Sequence, residues 1–225
     1  MDWSPILISM KTASLSIFIT FFLGILAAWL VVRMRNPVWK LISDGILTLP
    51  LVLPPTVMGF FLLDLFGVKG WIGSFFVEYF SIKIAFSWPA TVLAAVTMSF
   101  PLMYRSARGA FEQVDQNLIS AARTLGMGEW EIFARVLLPN AIPGVVSGGV
   151  LAFARGLGEF GATSMIAGNI AGKTRTLPMA VYSEVAAGNM DTAYDYVAVI
   201  VVIAFLSVCI MNGAAWKAGK ETHGG

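Results

Sequence analysis

Arg155 and Glu159 stand four residues apart in an otherwise apolar stretch, so a helix would set guanidinium and carboxylate on one face. Ionised groups at membrane depth are costly and face a cavity or each other. The pair reads equally as a structural ion pair and as a device for gating or anion attraction. Other chemistry-bearing types are scarce. One cysteine, Cys209, lies in an apolar run and one histidine, His223, in the polar tail. That excludes a disulfide framework, a CxxC pair and a thiolate metal site, and removes most Cys/His nucleophile chemistry. No set of His, Cys or paired carboxylates able to act on a substrate stands out. The nearest approach to a phosphate loop, Gly168-Asn-Ile-Ala-Gly172-Lys173-Thr174, is one residue too short for GxxxxGK[ST] and has Ala167 where the first glycine belongs. It reads as a polar loop turning at Gly172.

Three prolines, Pro50, Pro54 and Pro55, fall within one apolar run. Each removes a backbone donor and frees a carbonyl, which a bilayer tolerates only where packing, side chains or water satisfy it. Two readings stand: a kinked helix beside a transport path served by the hydroxyls of Thr48 and Thr56, or a static kink for packing.

The elements that must position these residues follow from composition. Of 225 residues, 57% are hydrophobic and 12% charged, against about 45–50% and about 25% in soluble domains. An all-α, polytopic membrane bundle is the class that fits. A bilayer core takes about 20 apolar residues as helix, and five stretches qualify: residues 13–32, 46–66, 84–104, 141–162 and 196–216. The first has a charged exit and no small-residue cleavage site, so it reads as a span and not a removable signal. Residues 71–80 are too short to cross and read as an interfacial segment, or as a sixth, tilted element.

Five spans put the termini on opposite sides. Arg33, Arg35, Lys40, Arg105, Arg108, Arg123, Arg135, Lys217 and Lys220 share one face, against Lys11, Lys69, Lys83, Lys173 and Arg175 on the other. The positive-inside rule then predicts an outer N-terminus and a cytoplasmic C-terminus. Trp3, Trp71 and Trp88 fall at the outer boundary and Trp39 and Trp216 at the inner one. The basic residues are spread along the chain and form no nucleic-acid cluster. Gly144, Gly148, Gly149, Gly156, Gly158 and Gly161 in the fourth span allow close helix packing, within one chain or at a dimer seam.

The long loop of residues 105–140 interrupts this pattern. Asp115 is a plausible N-cap, Leu118, Ala121, Ala122 and Leu125 recur at helical spacing on one face, and Gly126 is a plausible stop. A second helix over residues 129–138 opens with Glu129 and Glu131, carries Arg135 near its end and stops at Pro139. The loop reads as helix, glycine turn, helix. It is either a surface hairpin capping the bundle or a handle for something outside the membrane, and the small pair Ala121-Ala122 would let another chain approach closely.

The spacing resembles the EAA motif of ABC importer permeases. Ala121, Ala122, Gly126, Leu138 and Pro139 match, Val136 replaces an isoleucine, and Ser120 replaces the glutamate. The blocks LPLVLPPTVMGF, IAFSW, MSFPLMYRSARGAFEQVD, LPNAIPGVVSGGVLAFARGLGEFGAT and GKTRTLP are similar to permeases of the molybdate, tungstate and sulfate importer group. The resemblance implies one permease domain over residues 1–225, multi-pass in a bacterial or archaeal cytoplasmic membrane among its lipids. It implies a homodimeric core, two copies of a separate ATPase engaging the loop of residues 115–139, and an external binding protein that delivers molybdate. ATP chemistry would occur on the partner, with no cofactor on this chain. Tungstate or sulfate and thiosulfate are the alternative cargoes. Pro54, Pro55, Thr56, Arg155 and Glu159 are the candidate pathway residues. A self-contained channel or ion-coupled carrier is the competing class, with only Asp64, Arg155 and Glu159 available to bind a coupling ion.

Overall fold

The computed structural model describes the backbone of residues 2–223 and the side chains of residues 2–210; Trp216, Lys217 and Lys220, on which part of the expected topology rests, and His223 lie outside the described side chains. Those residues fold as helices joined by short turns. α1 (Ser4–Val32) has Pro5 in its first turn, where a missing N–H costs nothing, and runs 29 residues, about 44 Å at 1.5 Å per residue. α2 (Pro37–Val52) is capped by the Asn36 side chain, which accepts from the Val38 and Trp39 amides.

The second expected span is not one kinked helix. α2 stops at Val52, α3 (Pro55–Phe66) starts three residues later, and the two axes meet at 109°. Pro50 is tolerated inside α2, but consecutive prolines are not. A proline pushes its predecessor out of the helical region, so Leu53 sits at ψ 142° and Pro54 at ψ 136°. α4 (Trp71–Phe80) is a 10-residue helix, at about 15 Å too short to cross a bilayer.

α5 (Trp88–Glu112) starts four residues later than the expected third span and carries Arg105 and Arg108 within its last turns. It packs against α1, α2 and α8. Enclosed by protein, it can hold hydroxyls: Thr12 pairs with Thr91 at 2.8 Å and Thr20 with Ser99 at 3.1 Å. Its interior position explains why α5 is not among the helices apolar enough to face lipid throughout. Among the described residues, three helices are long and apolar enough to cross a membrane: α1, the continuous helix Glu129–Leu157, and Met190–Ile210 within α11 (Met190–His223). The α2 and α3 pair makes a fourth as one broken span. α5, enclosed by α1, α2 and α8, covers most of the third expected span.

The fourth expected span ends at Leu157. After it come α9 (Gly161–Ile166), a loop, and α10 (Leu177–Ala186). α3 and α9 touch through glycines. A Cβ on Gly59 would lie 2.7 Å from Ala162 Cα and 2.8 Å from its carbonyl oxygen, and one on Gly161 2.7 Å from Pro55 Cβ. Gly59→Ala is therefore expected to lower the thermal midpoint in detergent by an overpacking cost of about 1–3 kcal/mol. Gly109→Ala, in a helix with nothing within 4 Å of the new Cβ, is expected to be neutral or stabilising; equal midpoints for the two variants would contradict the close approach.

Candidate functional site

The loop of residues 115–139 folds locally for identifiable reasons. Asp115 accepts a 2.8 Å hydrogen bond from the Asn117 amide and starts α6 (Gln116–Thr124). Gly126 ends it at φ +78°. Its amide donates to Arg123 O at 3.0 Å and the Met127 amide to Ala122 O at 3.1 Å, the paired 5→2 and 6→1 bonds of a Schellman turn. Ala122 and Met127 both join the cluster beneath the turn. The expected glycine turn is present.

Of the expected face, Leu118, Ala121 and Leu125 lie together and exposed, while Ala122 turns to the bundle. Ile119 and Ala122 are the buried residues of α6, while Leu118 and Leu125 are 47% and 81% exposed and Ala121 is exposed with Ser120. A nine-residue helix offers two apolar stripes, and the one beside Phe111 and Phe133 is covered. The other, Leu118, Ala121 and Leu125, points away from the bundle.

The second helix of the hairpin does not stop at Pro139. α7 (Glu129–Ile132), a π-turn (Phe133–Leu137) and α8 (Leu138–Leu157) form one continuous helix of 29 residues. Mid-helix proline clashes with the carbonyl four residues earlier. Here the Leu138 amide bonds Phe133 O, an i to i−5 step that widens the turn just before the ring. The Asn140 side-chain amide donates to Val136 O at 2.7 Å. Val136, Leu138 and Pro139, expected at the end of a helix, instead sit where hairpin becomes membrane span.

The hairpin is fastened to the end of α1. Trp29 stacks edge-on to Trp130 at 5.6 Å and tilts on Phe133 at 5.0 Å. Arg33 lies over the Trp29 ring, 4.6 Å from its centre. Across the glycine turn Arg123 Nε bonds Glu129 at 2.9 Å, and Arg33 reaches the same carboxylate at 3.5 Å. The Glu129 hydrogen bond holds the Arg123 guanidinium above its ordinary pKa.

Of the pathway candidates, Arg155 and Glu159 meet: Nη1 to Oε2 is 2.6 Å. Glu159 is 3% exposed, and its other oxygen accepts from the Ala162 amide at 2.7 Å, capping α9. Pro55 touches the same helix through Gly161, which brings the broken span and the ion pair to one place. Pro54 and Thr56 are exposed, whereas Thr48 donates its hydroxyl to Asp44 O at 2.7 Å within α2. Asp64 is exposed on α3.

Sequence reading passed over one cluster. Asp44 pairs with Arg108 and accepts from Tyr104 Oη at 2.9 Å; Glu112 pairs with Arg108 at 3.1 Å and Lys40 at 2.9 Å. α2 has no buried residue, so this network is its main hold on α5. The i, i+4 spacing of Arg108 and Glu112 was visible; the partners 60 residues away were not.

A capped hairpin continuous with a membrane helix, beside a broken span, is the architecture of a transporter's membrane subunit. A chain from a structure titled as inward-facing conformations of the MetNI methionine ABC transporter has the same fold, with a TM-score of 0.74 and 17% identity over 95% of this chain and 94% of that one. The chain belongs to the family described as binding-protein-dependent transport system inner membrane component, which it matches over residues 20–216. It is 45% identical to the molybdenum transport system permease protein ModB of Escherichia coli K12, over 99% of this chain and 97% of that one. It is 34% identical to the sulfate transport system permease protein CysW of Synechocystis, over 97% of this chain and 78% of that one.

Proposed function

We propose that this protein is the permease subunit of an ATP-driven importer that carries molybdate across the cytoplasmic membrane. The observation that carries the cargo is the 45% identity, end to end, with a permease named for molybdenum transport. A single permease domain pairs with a second copy, because so few helices enclose too little space for a pathway alone. Two ATPase subunits hydrolyse ATP, and this chain binds no cofactor. An outer binding protein delivers the oxyanion, with the N-terminus outside and the C-terminus in the cytoplasm.

The exposed stripe around Ser120 and Ala121 meets the ATPase, and Gly126 fixes its angle. Closure of the ATPases moves the hairpin. Because Val136, Leu138 and Pro139 lie in one unbroken helix, the displacement passes into α8 and reaches Arg155 and Glu159 at its far end. Glu159 caps α9, and α9 packs on α3 at Pro55. The pathway beside Pro54, Pro55 and Thr56 thus opens in step with ATP. Selectivity resides in the binding protein, since a tight site in the pore would retain the ion.

The test is ATP-dependent uptake of molybdate by the reconstituted complex, with tungstate and sulfate as competitors. Molybdate is expected to be taken up and sulfate to compete poorly; dominant sulfate uptake would favour the reading that the 34% identity to a sulfate permease supports. Uptake by this chain alone, without ATPase or ATP, would replace the importer by a self-contained carrier.

A further inference from the structure

Where the hairpin meets α1 there is a cavity of about 510 Å³ whose walls include Arg33, Arg35, Arg123, Gln116, Trp29 and Glu129. Three guanidiniums face one carboxylate. Glu129 is shared by the Nε groups of Arg33 and Arg123. Arg35 makes no ion pair or side-chain hydrogen bond among the described residues, and Arg33, though paired with Glu129, makes no side-chain hydrogen bond among them. The cavity therefore has unspent donors and a net positive charge.

Its depth says what kind of anion can reach it. Leu23, Leu26 and Leu30 are 45–48% exposed on the outer face of α1, and the apolar run ends at Val32, one residue before Arg33. Trp29 lies in the wall, as aromatic rings do at a membrane boundary. The cavity thus opens at the level where acyl chains give way to headgroups. Guanidinium is the side chain best matched to a phosphate, with paired donors in one plane.

We propose that this cavity binds the phosphodiester headgroup of an anionic phospholipid. The shared chemistry is a tetrahedral oxyanion between guanidiniums; the acyl chains lie along Leu26 and Leu30. Since Arg33 and Arg35 follow α1 while Gln116 and Arg123 belong to α6, a bound lipid clamps the hairpin to the membrane end of α1. The site stands on its geometry and does not depend on which oxyanion the protein carries.

The purified full chain in detergent, titrated with phosphatidylglycerol and read by native mass spectrometry, tests this. Arg35→Gln is expected to weaken phosphatidylglycerol retention about fivefold, in keeping with one lost cation at a membrane surface. Arg35→Lys is expected to keep most of it. Arg135→Gln, the same charge change at a residue 73% exposed and paired with Glu131 outside the cavity, is expected to change nothing. Phosphatidylcholine should bind far more weakly than phosphatidylglycerol. Equal retention by the protein and Arg35→Gln, or equal binding of the two lipids, would overturn the proposal. Displacement of the lipid by equimolar inorganic phosphate would also overturn it and give the cavity to a soluble oxyanion.

Discussion

Gly126→Val is expected to leave the protein inserted and folded, to leave ATP hydrolysis by the partner running, and to reduce substrate uptake about tenfold. Nothing lies within 4 Å of a Cβ at this position, so no clash is involved. The cost is in the backbone. At φ +78° an L side chain is strained by about 1–2 kcal/mol, and a β-branched one tolerates the region least. Relief comes by moving Gly126 to negative φ, which breaks the amide bonds to Arg123 O and Ala122 O and swings α6 relative to the helix that enters the membrane. About 1.4 kcal/mol of lost coupling is a factor of ten. Gly126→Ala should fall between. Gly128→Val is the control: two residues on, at φ −70° and with nothing within 4 Å, a side chain is accommodated. The paired measurement is uptake and ATPase rate in the same vesicles. If Gly126→Val and Gly128→Val are equally well coupled, the turn does not set the angle of the handle.

What could be read from sequence was what is decided within a few residues. Asp115 capping α6, Gly126 turning after it, and the short α4 all follow from neighbours along the chain, and each stands where expected. Facing is decided at longer range. Leu118 and Leu125 were as apolar as Ile119, and only the position of Phe111 and Phe133 selects which stripe of α6 is covered. Pro139 shows the same limit in another form. Proline is a helix stop in isolation, yet a single widened turn and the Asn140 side chain let the helix pass through it. Pro54 or Pro55 alone would make a kink; together they fix two successive extended residues and turn the chain through 109°. The Asp44 network needed a contact between α2 and α5 that no local spacing announces. For Arg155 and Glu159, spacing gave the pair but not the third partner, the Ala162 amide, which bears on its role.

That third partner makes Glu159→Ala the most destabilising change expected here. The Glu159 side chain is 2% exposed, and its two oxygens hold Arg155 at 2.6 Å and the Ala162 amide at 2.7 Å. Alanine removes both at once. It leaves a partly covered guanidinium and an unpaired amide at the start of α9. Breaking a buried pair from one side costs about 3–5 kcal/mol, enough to consume a large share of a typical fold's stability. A sharply lower thermal midpoint and little recoverable protein are expected. Glu159→Gln keeps an acceptor for Ala162 and should be milder. Arg155→Met should also destabilise, by stranding the carboxylate, and the double variant Arg155→Met with Glu159→Gln should recover much of what Arg155→Met loses. The cycle separates the two readings that the spacing allowed. A structural pair changes melting in all single variants and leaves uptake per folded molecule nearly intact in the double variant. If Glu159→Ala instead melts like the unaltered protein while uptake disappears, the pair works on the pathway and its structural role is wrong.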